Sequence, residues 1–215
     1  MGTIFETLKS EGLDDNTLVL FTSDNGSQRE GSNDPLRGKK GRTDEGGMRV
    51  PCVVRWPGKI PAGSSSGEIT ATIDLLPTFA RLAGTSAPRD RIIDGKDIWP
   101  ILSGQPQARS PHEAFYYYQM DQLQAVRSGP WKLFVAMDAK KRNWGKPEPA
   151  QPLKLFNLAT DIHEDNNLAR FSDVDSSDAT VIYDVGSASI TNTGFDPTGS
   201  LRSGRWTAGT GTLDS

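Results

Sequence analysis

Thr17-Leu18-Val19-Leu20-Phe21-Thr22-Ser23-Asp24-Asn25-Gly26 passes from an apolar, β-branched run to a polar turn. The run Thr17 to Thr22 is short enough for a strand buried on both faces, and it ends abruptly at Ser23. Upstream, Ile4, Phe5 and Leu8 recur at helical spacing between Thr3 and Ser10, with Gly12 as a stop. A helix, a buried strand and a polar loop in that order are what an α/β parallel sheet produces, and such sheets hold ligands at the carboxyl ends of their strands. Asp24 and Asn25 fall at that end. The pair joins a carboxylate to an amide carbonyl, oxygen donors of the kind that hard cations such as Ca²⁺ or Mg²⁺ take. Ser-Asp-Asn-Gly alone is equally an ordinary turn, and for an isolated dipeptide the turn is the commoner reading.

From Ser27 to Gly47 the chain is polar, rich in Gly, Arg and Lys, and without periodicity, which reads as a long surface loop of a length that often carries function. Lys39 and Lys40 lie between Gly38 and Gly41, so an ammonium could meet an anion where the glycines let the backbone approach. A solvated basic loop would look the same. Arg49 to Trp56 reads as a second strand, with Pro51 near its start and Pro57-Gly58 turning it. Asp74 to Ala83 resumes a helical pattern through Leu75, Leu76, Phe79 and Leu82, closed by Gly84. Beyond Pro111 the signals become antiparallel: Ala114 to Tyr118, Gln124 to Ser128, Trp131 to Ala136 and Leu153 to Leu158, with Gly129-Pro130 as a turn. After Arg170 there is no Lys and no Glu, a composition break that marks a boundary, although Ala179 to Thr191 keeps strand character.

Composition narrows the function classes. The 215 residues are 35% hydrophobic and 24% charged, with 22 Gly and 14 Pro, which describes a soluble, loop-rich globular chain. A formal net charge of -3 supplies no general field for nucleic acid, and no apolar stretch is long enough to cross a membrane. Met1 to Leu8 lacks the basic and apolar regions of a signal peptide. The one cysteine, Cys52, excludes an internal disulfide; inside a strand and followed by Val53-Val54-Arg55, it reads as a buried structural thiol. His112 and His163 read as surface or turn residues. Alternation along Phe115-Tyr116-Tyr117-Tyr118 buries half of these rings.

Several motifs follow one another in order: Leu18 to Gly26, Leu36-Arg37-Gly38-Lys39-Lys40-Gly41, Glu45-Gly46-Gly47-Met48-Arg49-Val50-Pro51 and Arg55-Trp56-Pro57-Gly58. Asp74-Leu75-Leu76-Pro77-Thr78, Asp94-Gly95-Lys96-Asp97, Leu102-Ser103-Gly104, Ala125 to Leu133, Leu155-Phe156-Asn157-Leu158 and Asn166-Asn167-Leu168-Ala169 continue the series. The string resembles the second half of the sulfatase family over roughly residues 1 to 170.

The resemblance implies an alkaline-phosphatase-like α/β fold: part of a parallel or mixed sheet with flanking helices over residues 1–110, a small antiparallel C-terminal subdomain over 111–170, and a Ser/Thr/Gly-rich tail or truncated β-rich module over 171–215. It implies hydrolysis of sulfate esters with Ca²⁺, Mg²⁺ being the alternative ion, and a formylglycine nucleophile made from a cysteine. Asp24 and Asn25 match the family's second pair of metal ligands. Lys40 matches the lysine that contacts the sulfate group, with Lys39 taking its place if the register slips by one. The family's Cys-x-Pro-x-Arg or Cys-x-Ala-x-Arg signature, its early aspartate pair and its upstream Arg, Lys and His residues do not occur here. The expectation is therefore a fragment, inactive alone and needing the missing N-terminal half for stability, whose partner is a sulfate ester substrate and not nucleic acid or membrane. The resemblance to the family implies a periplasmic or secreted location. The alternatives are a piece of a phospho- or phosphonate monoester hydrolase, or a noncatalytic module binding sulfated glycans through Arg29, Arg37, Lys39, Lys40 and Arg42.

Overall fold

A computed structural model of the chain describes residues 1–137, 139 and 150–169, and the strands 180–184, 188–193 and 207–210. The chain divides into two compact units, Met1–Tyr117 with Arg127–Gly129, and Tyr118–Val126 with Pro130–Ser215.

In the first unit α1 (Gly2–Ser10) leads through a 3-10 turn (Asp14–Asn16) into β1 (Val19–Thr22). Gly12 stops the helix: at φ +68° it turns the chain so that the Leu13 N–H donates to the Leu8 carbonyl at 2.8 Å. The chain then runs through α2 (Glu45–Met48) into β2 (Cys52–Arg55), a 3-10 turn (Thr72–Asp74), α3 (Leu75–Leu82) and α4 (Trp99–Leu102).

β1 and β2 pair antiparallel, with Val19 opposite Arg55, Leu20 opposite Val54, Phe21 opposite Val53 and Thr22 opposite Cys52. Between them stands only the single turn of α2, not the long crossover helix that would return the chain parallel. Burial on both faces of the first strand does not occur: Phe21 is 50% exposed, as is its β2 partner Val53 at 61%. Cys52 is likewise exposed, contrary to its reading as a buried thiol. In a two-stranded ribbon each strand has one open edge, and among the described residues no third strand pairs with this one.

The strand pair is tied to α1 through charge. Arg55 donates to both carboxylate oxygens of Asp14, at 2.6 and 2.8 Å, and its guanidinium lies 4.7 Å from the centroid of the Phe5 ring. The guanidinium bond holds the Asp14 carboxyl below its ordinary value of 3.8. A carboxyl depressed by folding contributes stability that is full above its unfolded pKa, about 4, and is lost as pH falls through the lowered value. Wild type should thus lose more stability than Asp14→Asn between pH 6 and pH 3, read as urea midpoints; equal losses would show that the pair contributes nothing.

A second junction corrects the reading of His112. Its side chain is 9% exposed, and its Nε2 lies 2.8 Å from Oδ1 of the fully buried Asp74. Asp74 also accepts the Ala71 N–H at 2.7 Å and the Lys96 N–H at 2.9 Å, and its carbonyl takes the Thr78 hydroxyl, which in turn accepts the Ile98 N–H. The imidazole is in the interior because a buried carboxylate needs polar partners there. His163, 48% exposed, is the surface residue expected.

The antiparallel sheet has the order β3 (Phe115–Gln119), β4 (Gln122–Ser128), β5 (Trp131–Phe134), β6 (Lys154–Asn157). The two-residue connections Met120-Asp121 and Gly129-Pro130 make hairpins of its first three strands, each turn holding one residue at positive φ. Tyr117 is buried while Tyr116 and Tyr118 are more than half exposed, the alternation expected of a strand. In the second unit Ala125, Phe134, Leu155, Phe156 and Leu158 are buried, with Phe134 and Phe156 meeting edge to face at 5.9 Å. Lys132 and Glu164 lie inside as an ion pair at 2.9 Å. β7 (Thr180–Asp184), β8 (Ala188–Thr193) and β9 (Thr207–Thr210) form a separate antiparallel sheet. Ala179 and the remainder of the expected tail lie outside the described residues.

Candidate functional site

β1 ends at Thr22, and the next residues turn at once. The Ser23 hydroxyl donates to the Asn25 carbonyl at 3.0 Å and stands 3.5 Å from Asp24 Oδ1. Asp24 is exposed and Asn25 half-buried, and the pair sits directly after the carboxyl end of β1.

The loop that follows folds back on this end. The Asn33 amide ties it down: Oδ1 accepts the Ser27 N–H at 2.7 Å, while Nδ2 donates to the carbonyls of Ser27 at 3.0 Å and Gly38 at 3.1 Å. The Lys40 N–H donates to the same Ser27 carbonyl at 3.3 Å. Lys40 is thereby brought by its backbone to a residue two places beyond Asn25. Lys39 and Lys40 are exposed, and neither they nor Asp24 forms an ion pair among the described residues.

Behind this loop packs the turn Glu45-Gly46-Gly47, all three residues buried. The Gly26 N–H donates to the Gly47 carbonyl at 3.1 Å, and the Gly46 N–H to the Arg37 carbonyl at 2.6 Å. A Cβ on Gly26 would fall 1.7 Å from the Gly46 oxygen, an impossible approach for any residue with a side chain. The surface loop expected from Ser27 to Gly47 therefore has a buried closing turn. Glu45 is fully buried; its carboxylate accepts the Tyr117 hydroxyl at 2.9 Å and Arg127 Nη1 at 3.1 Å. Burial first, and the neighbouring Glu45 charge second, push the Tyr117 hydroxyl far above its ordinary value and keep it a donor. The sequence offers Glu45 and Arg127 only as members of the motif series and Tyr117 only as one ring of an alternating strand. The available signal was a carboxylate directly preceding Gly-Gly.

Among the described residues no three His, Cys, Asp or Glu side chains converge on one point. Asp24 and Asn25 offer two hard oxygen donors, which suit Ca²⁺ or Mg²⁺ but cannot complete the six to eight positions that Ca²⁺ fills.

The sequence profile named Sulfatase matches residues 1–85, and that for the C-terminal region of aryl-sulfatase matches residues 110–186. The chain belongs to the sulfatase family. Steryl-sulfatase of Mus musculus is 45% identical over 148 residues, covering 62% of this chain and 24% of the relative. N-acetylgalactosamine-6-sulfatase of Canis lupus familiaris is 41% identical over 138 residues, covering 61% and 26%. Among solved structures, PsFucS1 sulfatase from Pseudoalteromonas sp. superposes with a TM-score of 0.66 at 29% identity, over 77% of this chain and 35% of that one. Ps i-CgsB in complex with k-i-k-neocarrahexaose gives 0.62 at 34% identity, over 78% and 35%. This sulfatase chain thus spans about a quarter of the length of the curated relatives it matches. These likenesses establish the alkaline-phosphatase-like α/β class, with the antiparallel sheet at its C-terminal side.

Proposed function

We propose that the chain supplies one side of the active site of a sulfuric ester hydrolase, with Asp24 and Asn25 as two oxygen ligands of Ca²⁺ and Lys40 as the cation facing the sulfate group. The observation that carries this reading is the backbone bond from Lys40 to Ser27, which draws the lysine loop to the strand end bearing Asp24 and Asn25. A bound divalent ion supplies positive charge to sulfate oxygens. The Lys40 ammonium, exposed and without an acidic partner among the described residues, would neutralise charge developing on those oxygens. The substrate is a sulfate ester, the one feature that steryl-sulfatase and N-acetylgalactosamine-6-sulfatase share in their names.

No Cys-x-Pro-x-Arg or Cys-x-Ala-x-Arg stretch occurs in these 215 residues. Formylglycine would therefore come from outside them, and the chain alone should release no chromophore from an aryl sulfate with Ca²⁺ present.

The two roles separate by charge. Titrated with CaCl₂ and followed by NMR, the chain should show saturable shifts at Asp24 and Asn25 with a dissociation constant on the order of 1 mM, because the shell is incomplete. Asp24→Ala should abolish them. Lys40→Ala should leave them intact or strengthen them, since removing a cation cannot weaken the hold on another, while reducing the shifts produced by inorganic sulfate. Loss of calcium binding in Lys40→Ala, or normal binding in Asp24→Ala, would refute the assignment.

A further inference from the structure

We infer that Glu45 is a positioning residue that fixes the Asp24-Asn25 end of β1 against the loop carrying Lys39 and Lys40; the inference rests on the site assignment just given.

The Glu45-Gly46-Gly47 turn lies between the two pieces and touches both through backbone. On one side the Gly47 carbonyl takes the Gly26 N–H at 3.1 Å. On the other the Gly46 N–H reaches the Arg37 carbonyl at 2.6 Å. A Cβ on Gly46 would fall 2.5 Å from that carbonyl oxygen and 2.8 Å from the Gly38 oxygen. One on Gly47 would fall 2.1 Å from the Arg42 oxygen and 2.7 Å from the Lys39 oxygen. Backbone packed this closely transmits any movement of the turn directly to its neighbours.

What holds the turn in place is the carboxylate on its first residue. Glu45 has no exposed surface, and a buried charge is tolerated only where donors meet it. Tyr117 comes from β3 and Arg127 from β4, elements remote in sequence from the loops they steady. Two charge-assisted bonds at 2.9 and 3.1 Å thus anchor the wedge to a sheet, and the wedge sets the spacing between the carboxylate of Asp24 and the lysines. Glu45 would touch neither metal nor substrate. Its effect on the site is through Gly26 on one side and residues 37–42 on the other.

The test is amide hydrogen exchange, read by NMR on the 215-residue chain, at Gly26 and Lys40, whose N–H groups make the bonds to Gly47 and Ser27. Glu45→Ala should speed exchange at both about tenfold relative to Ala83 at the end of α3, as one net hydrogen bond's worth of local protection is lost. Glu45→Gln keeps an acceptor for Tyr117 but not the charge that Arg127 meets, so it should fall between wild type and alanine. That graded rescue, confined to the two amides, is what simple loss of stability would not produce. If Glu45→Ala does not fold, Tyr117→Phe removes one of the same bonds and carries the comparison. Equal acceleration at Ala83, or none at Gly26 and Lys40, overturns the inference. A CaCl₂ titration of the wild-type chain keeps the two questions apart: silent Asp24 and Asn25 resonances remove the metal assignment, whereas the exchange ratio alone decides the role of Glu45.

Discussion

Glu164→Ala should destabilise the second unit by about 3–5 kcal/mol, the cost of removing one member of a buried ion pair. Lys132 is 0% and Glu164 1% exposed, with 2.9 Å between the charged atoms and the ammonium 4.9 Å from the centroid of the Phe134 ring. Phe156 lies opposite Lys132 on the neighbouring strand and both charged side chains are shut off from solvent, so water cannot take over when the carboxylate is removed. A surface ion pair would cost about 1 kcal/mol or less, which makes the two cases easy to separate by urea unfolding. The double replacement Lys132→Met with Glu164→Leu should recover most of the loss, because both charges of the pair are removed together. A single-mutant cost within the surface range, or a double mutant worse than either single one, would show that the charge pair is not what burial makes it.

Asp74→Ala should cost about 4 kcal/mol, since it strands the Ala71 and Lys96 N–H groups and the His112 ring, each unmet buried donor costing about 1–3 kcal/mol without full additivity. His112→Ala removes one partner of a carboxylate that keeps two backbone donors, and should cost about half as much. The order of the two effects matters more than their size. Asp74 ties the turn before α3 to the strand-free segments holding Lys96 and His112, so its loss should also expose the Ala71 and Lys96 amides to exchange. If His112→Ala proves the more damaging, the ring and not the carboxylate is the centre of the junction.

Local pattern alone determined the helix α1, the helix α3, the antiparallel strands after Pro111, and the placing of Asp24 and Asn25 at a strand end. Each depends on spacing within a few residues: Ile4, Phe5 and Leu8 on one helical face with Gly12 behind them, or Tyr116, Tyr117 and Tyr118 alternating across a strand. The sequence motifs also sufficed for the family, because many ordered matches survive even where no single one is decisive.

Only the tertiary structure decided the rest. Cys52 and Phe21 look buried by residue type, yet burial depends on whether a second layer covers their face, and in the structure Phe21 is 50% exposed and Cys52 exposed. His112 looks like a turn residue until Asp74, far earlier in the chain, is found beside it. Glu45 carries no periodic signal, and its partners Tyr117 and Arg127 arrive from strands that form long after it in sequence. A buried charge is specified by the donors folded around it, and those lie at separations that no local window can contain.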